Sequence, residues 1–418
     1  MRITRPNRRQ VLKGAAVAFA APALLRTRSG FAAEPIRIGL VTPSTGPLAF
    51  FAQPDAFVIQ QFKKAFSEGV GGRPIDLIVK DSQSSASRAA EVASDLILRD
   101  EVTLLLSSGG PDTVIPVADQ AELNGTPSLS TACPWQSFVM GRGSSPQKGF
   151  QNTFLFAFGL EDVIAAYLKL WSGLATNRKV GLLLANDVDG NAWGDASFGF
   201  PPALKAAGYE VIDPGRYTPM ADDFSAQIAA FQQAGVDIVM GTMIPPEFLS
   251  FWSQSAQKGF RPKAATIGKC LLLPATLEAL GKGGDRLSTE LGWHPAFPFR
   301  SATTGETAAE IAAAWQAATG RPWVQTVGYK HALLDLAVDV LKRASDVSDP
   351  AAVIAAIRST DMETTLGPAN WSKSPIANVA KAAMMGGQWH WDGAGYGLEI
   401  AANPTTLAIP VTRSLQAL

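Results

Sequence analysis

The sequence predicts an α/β protein of two lobes, each a parallel sheet flanked by helices, and three observations carry that prediction. Short runs of β-branched and aliphatic residues alternate with longer amphipathic stretches, the pattern of a strand–helix–strand series. The series breaks at an interval rich in Gly, Ser and Pro, residues 141–149, and then begins again. With 418 residues, 47% of them apolar, the chain has interior enough for two cores without disulfide or metal staples.

In the first series, residues 36–42 form a strand, 54–68 a helix and 75–80 the second strand. Ser85 or Ser87 caps a helix that runs to Leu98, because Ala89, Ala93, Leu96 and Ile97 then share one face. Strand 102–107, helix 113–123 and strand 127–130 complete this half. In the second series a helix over 162–174 leads into strand 179–185, helix 197–207, strand 209–212, helix 224–234, strand 236–242, helix 246–258 and strand 264–268. Amphipathic helices over 307–319 and 327–344 follow, and the segment from Gly367 reads as short strands and turns.

The formal charge is zero, from 36 basic and 36 acidic residues, but seven of the basic ones precede the first acidic residue, Glu34. The remainder carries 29 basic against 36 acidic residues, a net of −7, which repels polynucleotides and anionic membrane faces and excludes nucleic acid as a partner. Residues 1–33 read as an export signal. Arg8-Arg9 and Val11-Leu12-Lys13 precede an apolar run over 14–25, too short to span a membrane, and a small-residue exit over 30–33. The arginine pair in that register resembles a twin-arginine signal, so a soluble periplasmic protein without a membrane span is expected.

Reaction machinery is missing. There is no GxSxG elbow, phosphate loop, HExxH, CxxC or complete GxGxxG. His294, His331 and His390 are scattered without a second ligand at metal spacing, and Asp187 with Asp189 reads as a strand-end turn. No cofactor, metal or catalytic residue is expected, and binding is favoured over catalysis. In open parallel sheets ligands sit beyond the carboxyl ends of the strands. The segments there, 43–46, 107–112 and 131–135 in the first half and 186–194, 243–245 and 269–270 in the second, are mostly small, hydroxylic or glycine.

The stretch 36–49 with Pro43-Ser44-Thr45-Gly46, then Asp81-Ser82-Gln83, Asp223-Phe224-Ser225, Gly328-Tyr329 and Gly386-Gly387-Gln388-Trp389, resembles the leucine/isoleucine/valine-type periplasmic substrate-binding proteins of ABC importers. The resemblance spans nearly all of the chain after residue 33. It implies a type I periplasmic-binding fold with three crossovers, near residues 153, 295 and 366. Lobe 1 would comprise 34–153 and 296–365, and lobe 2 would comprise 154–295 and 366–418. It also implies a monomer that closes over a small-molecule ligand and meets a membrane permease transiently. A sensory protein handing its signal to a membrane receptor would share the fold. A secreted α/β enzyme is the remaining alternative.

On this reading the ligand-binding candidates are Ser44, Ser108, Gly109, Gly110, Ser130, Thr131, Cys133 and Trp135 in lobe 1, and Trp193, Met243 and Lys269 in lobe 2, with Trp293 a further wall. The family commonly places an acid for the ligand ammonium where this chain has Gly268-Lys269-Cys270. An unpaired lysine there would repel an ammonium, which favours an organic or aromatic acid over a free amino acid. Cys133 and Cys270 fall one per lobe at strand ends; a bridge would clamp the cleft, so free thiols are expected.

Overall fold

A computed structural model describes residues 34–418, so the export signal expected over 1–33 lies outside the described residues. The mixed α/β chain forms two large sheets and a two-stranded antiparallel pair, β11 (Asp361–Thr364) with β12 (Gly367–Asn370). In the first, β1 (Ile36–Thr42), β2 (Ile75–Asp81), β3 (Leu104–Ser108), β4 (Ser128–Thr131), β5 (Thr153–Ala157) and β13 (Val379–Lys381) lie in the order β13-β5-β4-β3-β1-β2, all parallel. In the second, β6 (Lys179–Leu184), β7 (Glu210–Ile212), β8 (Ile238–Met243), β9 (Ala264–Lys269), β10 (Ser288–Leu291), β14 (Met385–Trp391) and β15 (Tyr396–Ala402) lie in the order β15-β14-β10-β9-β8-β6-β7. There β14 pairs antiparallel with both β10 and β15. The two series share one winding, β2-β1-β3-β4-β5 and β7-β6-β8-β9-β10.

Central strands such as β3 (LLLSS) and β8 (IVMGTM) are buried throughout, as parallel strands covered on both faces must be. Helices begin where their caps dictate. Ser85 accepts from the Arg88 N–H at the start of α2 (Ala86–Leu98), its face of Ala89, Val92, Ala93 and Leu96 buried. Gly110 and Pro111 open α3 (Pro111–Asn124), which Gly125 ends in the left-handed conformation at φ 70°. The longest helix among the described residues, α12 (Gln325–Arg343), is buried along almost its whole length and packs across β3 and β4. Its Lys330 forms a buried ion pair with Asp55 (2.9 Å) and donates to the Thr42 hydroxyl (2.8 Å).

Three departures from the expected layout concern the crossings. The run Thr153–Ala157 is wholly buried and pairs with β4, so the chain leaves the first sheet after Ala157 rather than at 153. A further strand, β10, extends the second sheet before the chain returns. Residues 379–381 pair with β5 in the first sheet, so the last crossing lies between Lys381 and Met385 rather than near 366. Burial of Val379 and Ala380 against Leu155 and Phe156 holds this segment there. Among the described residues no helix is long and apolar enough to cross a membrane, and no trio of His, Cys, Asp or Glu is placed to hold a metal.

Candidate ligand-binding cleft

The carboxyl ends of both sheets face one another, and a small cavity lined by residues of both lobes lies between them. Leu48 and Phe51 of lobe 1 pack against Ile244 and Leu272 of lobe 2, so the lobes meet over it.

Lobe 1 offers mainly backbone. β3 is followed by Gly109 and Gly110, at φ 123° and 86°, where side chains are strained. A Cβ on Gly109 would lie 2.5 Å from the Pro43 ring, so the close approach also requires glycine. Gly110 and Pro111 line the cavity and start α3, whose positive N-terminal end therefore faces it. The Ser107 and Ser130 hydroxyls bond each other (2.8 Å) and Thr131 donates to the Phe156 carbonyl (2.7 Å), so these hydroxyls tie strands together.

Lobe 2 supplies charge. Lys269 ends β9 at φ 60° and ψ −75°, a strained positive-φ turn. Its N–H donates to Glu290 Oε1 (3.2 Å), and its ammonium lies 2.7 Å from Asp189 Oδ2 and 3.5 Å from Asp187 Oδ2. Asp187 caps α6 (Val188–Trp193) by accepting from the Gly190 N–H (2.6 Å), which sets Asp189 on the inward side of that helix. Glu290, on β10, also accepts from the Tyr167 hydroxyl (2.7 Å) and the Thr289 hydroxyl (3.1 Å). Burial opposes the charge on Lys269, but Asp189 and Asp187 outweigh it and hold the ammonium above the usual lysine range. Burial pushes the carboxyls of Glu290 and Asp112 up.

Phe51, Phe158, Trp193, Leu272 and Tyr329 wall the cavity. The Trp193 indole stacks on Phe200 (centroids 5.0 Å apart) and meets Tyr167 edge-on. Gly268 makes room, since a Cβ there would come within 3.0 Å of both the indole and the Glu290 carboxylate.

Of the candidate residues, Gly110, Trp193 and Lys269 line this cavity. The others are placed elsewhere. Ser44 is exposed, with its N–H donating to Asp81 (2.8 Å). Gly109, Ser108, Ser130 and Thr131 are buried beneath the lining. Met243 and Trp293 are core residues. Cys133 is buried among Phe138, Val139 and Leu155, Cys270 is buried too, and both are free. Trp135 is half-buried and donates from its indole to Glu161 (2.8 Å), away from the cavity wall.

Two expectations need correction. Lys269 is not an unpaired cation but half of an ion pair, because Asp187 and Asp189 belong to a helix cap rather than a bare turn. Besides Asp189 of that pair, a second acid stands on the cleft wall, Glu290, one strand further on. It went unnoticed because 288–291 (STEL) carries no β pattern; the only cue was an acid held between Thr289 and Leu291 just before a glycine. Phe51, Thr242 and Thr326 carry no signal of their own, and Tyr329 enters only through the Gly328-Tyr329 pair of the resemblance.

Two lobes of like winding that meet over a small cleft have the architecture of a two-lobed binding protein. The sequence matches a periplasmic binding protein family over residues 35–394, and the chain belongs to that family. No curated protein matches the sequence. Many solved structures share the fold, three of them as follows. A leucine binding protein from Thermotoga maritima is 18% identical with a TM-score of 0.72, covering 89% of this chain and 100% of that one. A solute binding protein from Rhodopseudomonas palustris in complex with 3,4-dihydroxybenzoic acid is 20% identical with a TM-score of 0.70, covering 89% and 98%. A branched-chain amino acid transporter substrate binding protein from Streptococcus pneumoniae in complex with isoleucine is 14% identical with a TM-score of 0.71, covering 88% and 99%.

Proposed function

We propose that this protein captures an α-amino acid with an apolar or aromatic side chain by lobe closure in the periplasm and delivers it to an ABC permease. The observation that carries this reading is the Lys269–Asp189 pair at 2.7 Å. With the lysine already neutralised by Asp189, Glu290 remains as a further acid on the cavity wall, while Asp187 stands 3.5 Å from the lysine and Asp112 is near the pair. A bare carboxylic acid would add another negative charge to that group, whereas an ammonium meets it. The ligand carboxylate would sit at the α3 N-terminus beside Gly110, its ammonium near Glu290, and its side chain against Phe51, Trp193 and Tyr329. The preference for organic acids expected from an unpaired lysine thereby loses its ground. Similarity of fold to both amino acid and dihydroxybenzoate binders is compatible with either class, and the charge balance favours the amino acid.

Calorimetric titration of protein stripped of ligand by unfolding and refolding tests this directly. Leucine or phenylalanine should bind at least 100-fold more tightly than 4-hydroxybenzoate. Tight binding of 4-hydroxybenzoate with no response to amino acids would reverse the assignment. Uptake of the bound amino acid by membrane vesicles carrying a cognate permease, dependent on this protein, tests delivery.

A further inference from the structure

A second polar cluster lies where the chain crosses between the lobes. The first crossing follows Ala157 and the last follows Lys381, and the two run side by side, since Lys381 is in register with Ala157 and the Ala382 N–H donates to the Ala157 carbonyl (2.9 Å). On the lobe 1 side stand Trp135 and Gln136, on the short helix α4 (Trp135–Val139), and Lys381 at the end of β13. On the lobe 2 side stand Glu161 and Asp162, in the first turn of α5 (Leu160–Trp171).

The bonds run across that divide. The Trp135 indole N–H donates to both Glu161 oxygens (2.8 and 3.0 Å), and the Gln136 amide to Glu161 Oε2 (2.5 Å). Lys381 pairs with Glu161 (2.5 Å) and Asp162 (2.8 Å). In the reverse direction, the Leu160 N–H donates to Gln136 Oε1 (2.9 Å). Gly159 lies directly beneath, and a Cβ there would overlap both the Glu161 carboxylate and the Trp135 indole nitrogen. None of these groups lines the ligand cavity.

We propose that Trp135, Gln136, Glu161, Asp162 and Lys381 form a latch at the axis of lobe movement that biases the lobes toward closure and thereby sets ligand affinity. Rotation of one lobe about the crossing segments turns the donors of lobe 1 relative to the acceptors of lobe 2, so a bond set this close and directional favours the lobe angle at which it forms. Affinity scales with the fraction of protein in the binding-competent form, so a latch acts on every ligand alike without touching any. The proposal rests on the lobe-closure reading above, and not on which solute is bound.

Three variants of the full soluble protein test it: Gly159→Ala, which wedges the cluster; Lys381→Met, which removes its cation; and Trp135→Phe, which keeps the ring but drops the donor. Small-angle scattering without ligand should show each variant more open than the parent. Titration with leucine, or whichever amino acid the parent binds, should show roughly tenfold weaker affinity at unchanged stoichiometry. Trp135→Phe is the variant least prone to misfold, and its circular dichroism should match the parent. Unchanged scattering and unchanged affinity in folded Trp135→Phe and Lys381→Met would overturn the proposal. Should the parent bind no amino acid, the assignment of ligand fails while the scattering arm still decides the latch.

Discussion

Replacing Lys269 by Met is the most informative single change. It leaves the stem of the side chain and its strained backbone in place but removes the charge 2.7 Å from Asp189. The side chains of Lys269 and Asp189 are 10% and 7% exposed, so water cannot take over the role of the lysine. An Asp189 left without its partner escapes most cheaply by taking up a proton. For a carboxyl with an unfolded value near 3.9, that costs about 4 kcal/mol at pH 7 and about 1.5 kcal/mol at pH 5. The neutral-pH figure agrees with the ~3–5 kcal/mol typical of breaking a buried pair from one side. The sign follows from linkage. In the variant the folded value of Asp189 lies above the unfolded one, so the folded state binds the extra proton and stability falls as pH rises toward 7. Urea unfolding of parent and variant at pH 5 and pH 7 measures this, and adding Asp189→Leu to Lys269→Met should recover most of the loss. An equal loss at both pH values, or one below about 1 kcal/mol, would refute the argument that the pair is an electrostatic unit.

Glu290→Gln should weaken leucine or phenylalanine binding at least tenfold in calorimetric titration while leaving 4-hydroxybenzoate unaffected; equal losses for both would assign Glu290 a structural role only. Trp193→Ala removes an indole stacked on Phe200 and should cost about 3–5 kcal/mol in urea unfolding, with a loss under about 1 kcal/mol contradicting its packing. Burial pushes the Cys133 and Cys270 thiols up and shields them, so a thiol reagent should label neither in the folded protein and both in urea. Rapid labelling of the native protein would count against their placement.

What was legible in the sequence follows physical lines. Long buried strands and capped helices announce themselves locally, and the repetition of the series after residues 141–149 corresponds to two sheets wound in the same order. β13 is three residues long and β10 carries Ser, Thr and Glu, so neither shows a local β pattern; both exist because neighbouring strands pair with them. The cleft was locatable from strand ends, yet its charge was not. Lys269 and its partner Asp189 stand on different elements, and only the Asp187 cap, a turn signal by itself, brings them together. Trp135 stood at a strand end as expected, but its polar edge is claimed by Glu161, a residue of the opposite lobe.

The late position of β13 has a consequence for how the molecule is made. The first sheet gains its edge strand at Val379–Lys381, and the second gains its last two strands only between Met385 and Ala402. No contiguous half of the chain therefore contains a finished lobe. A nascent chain stopped anywhere before residue 379 lacks a strand of each sheet, so both cores reach completion together, within the final stretch of synthesis.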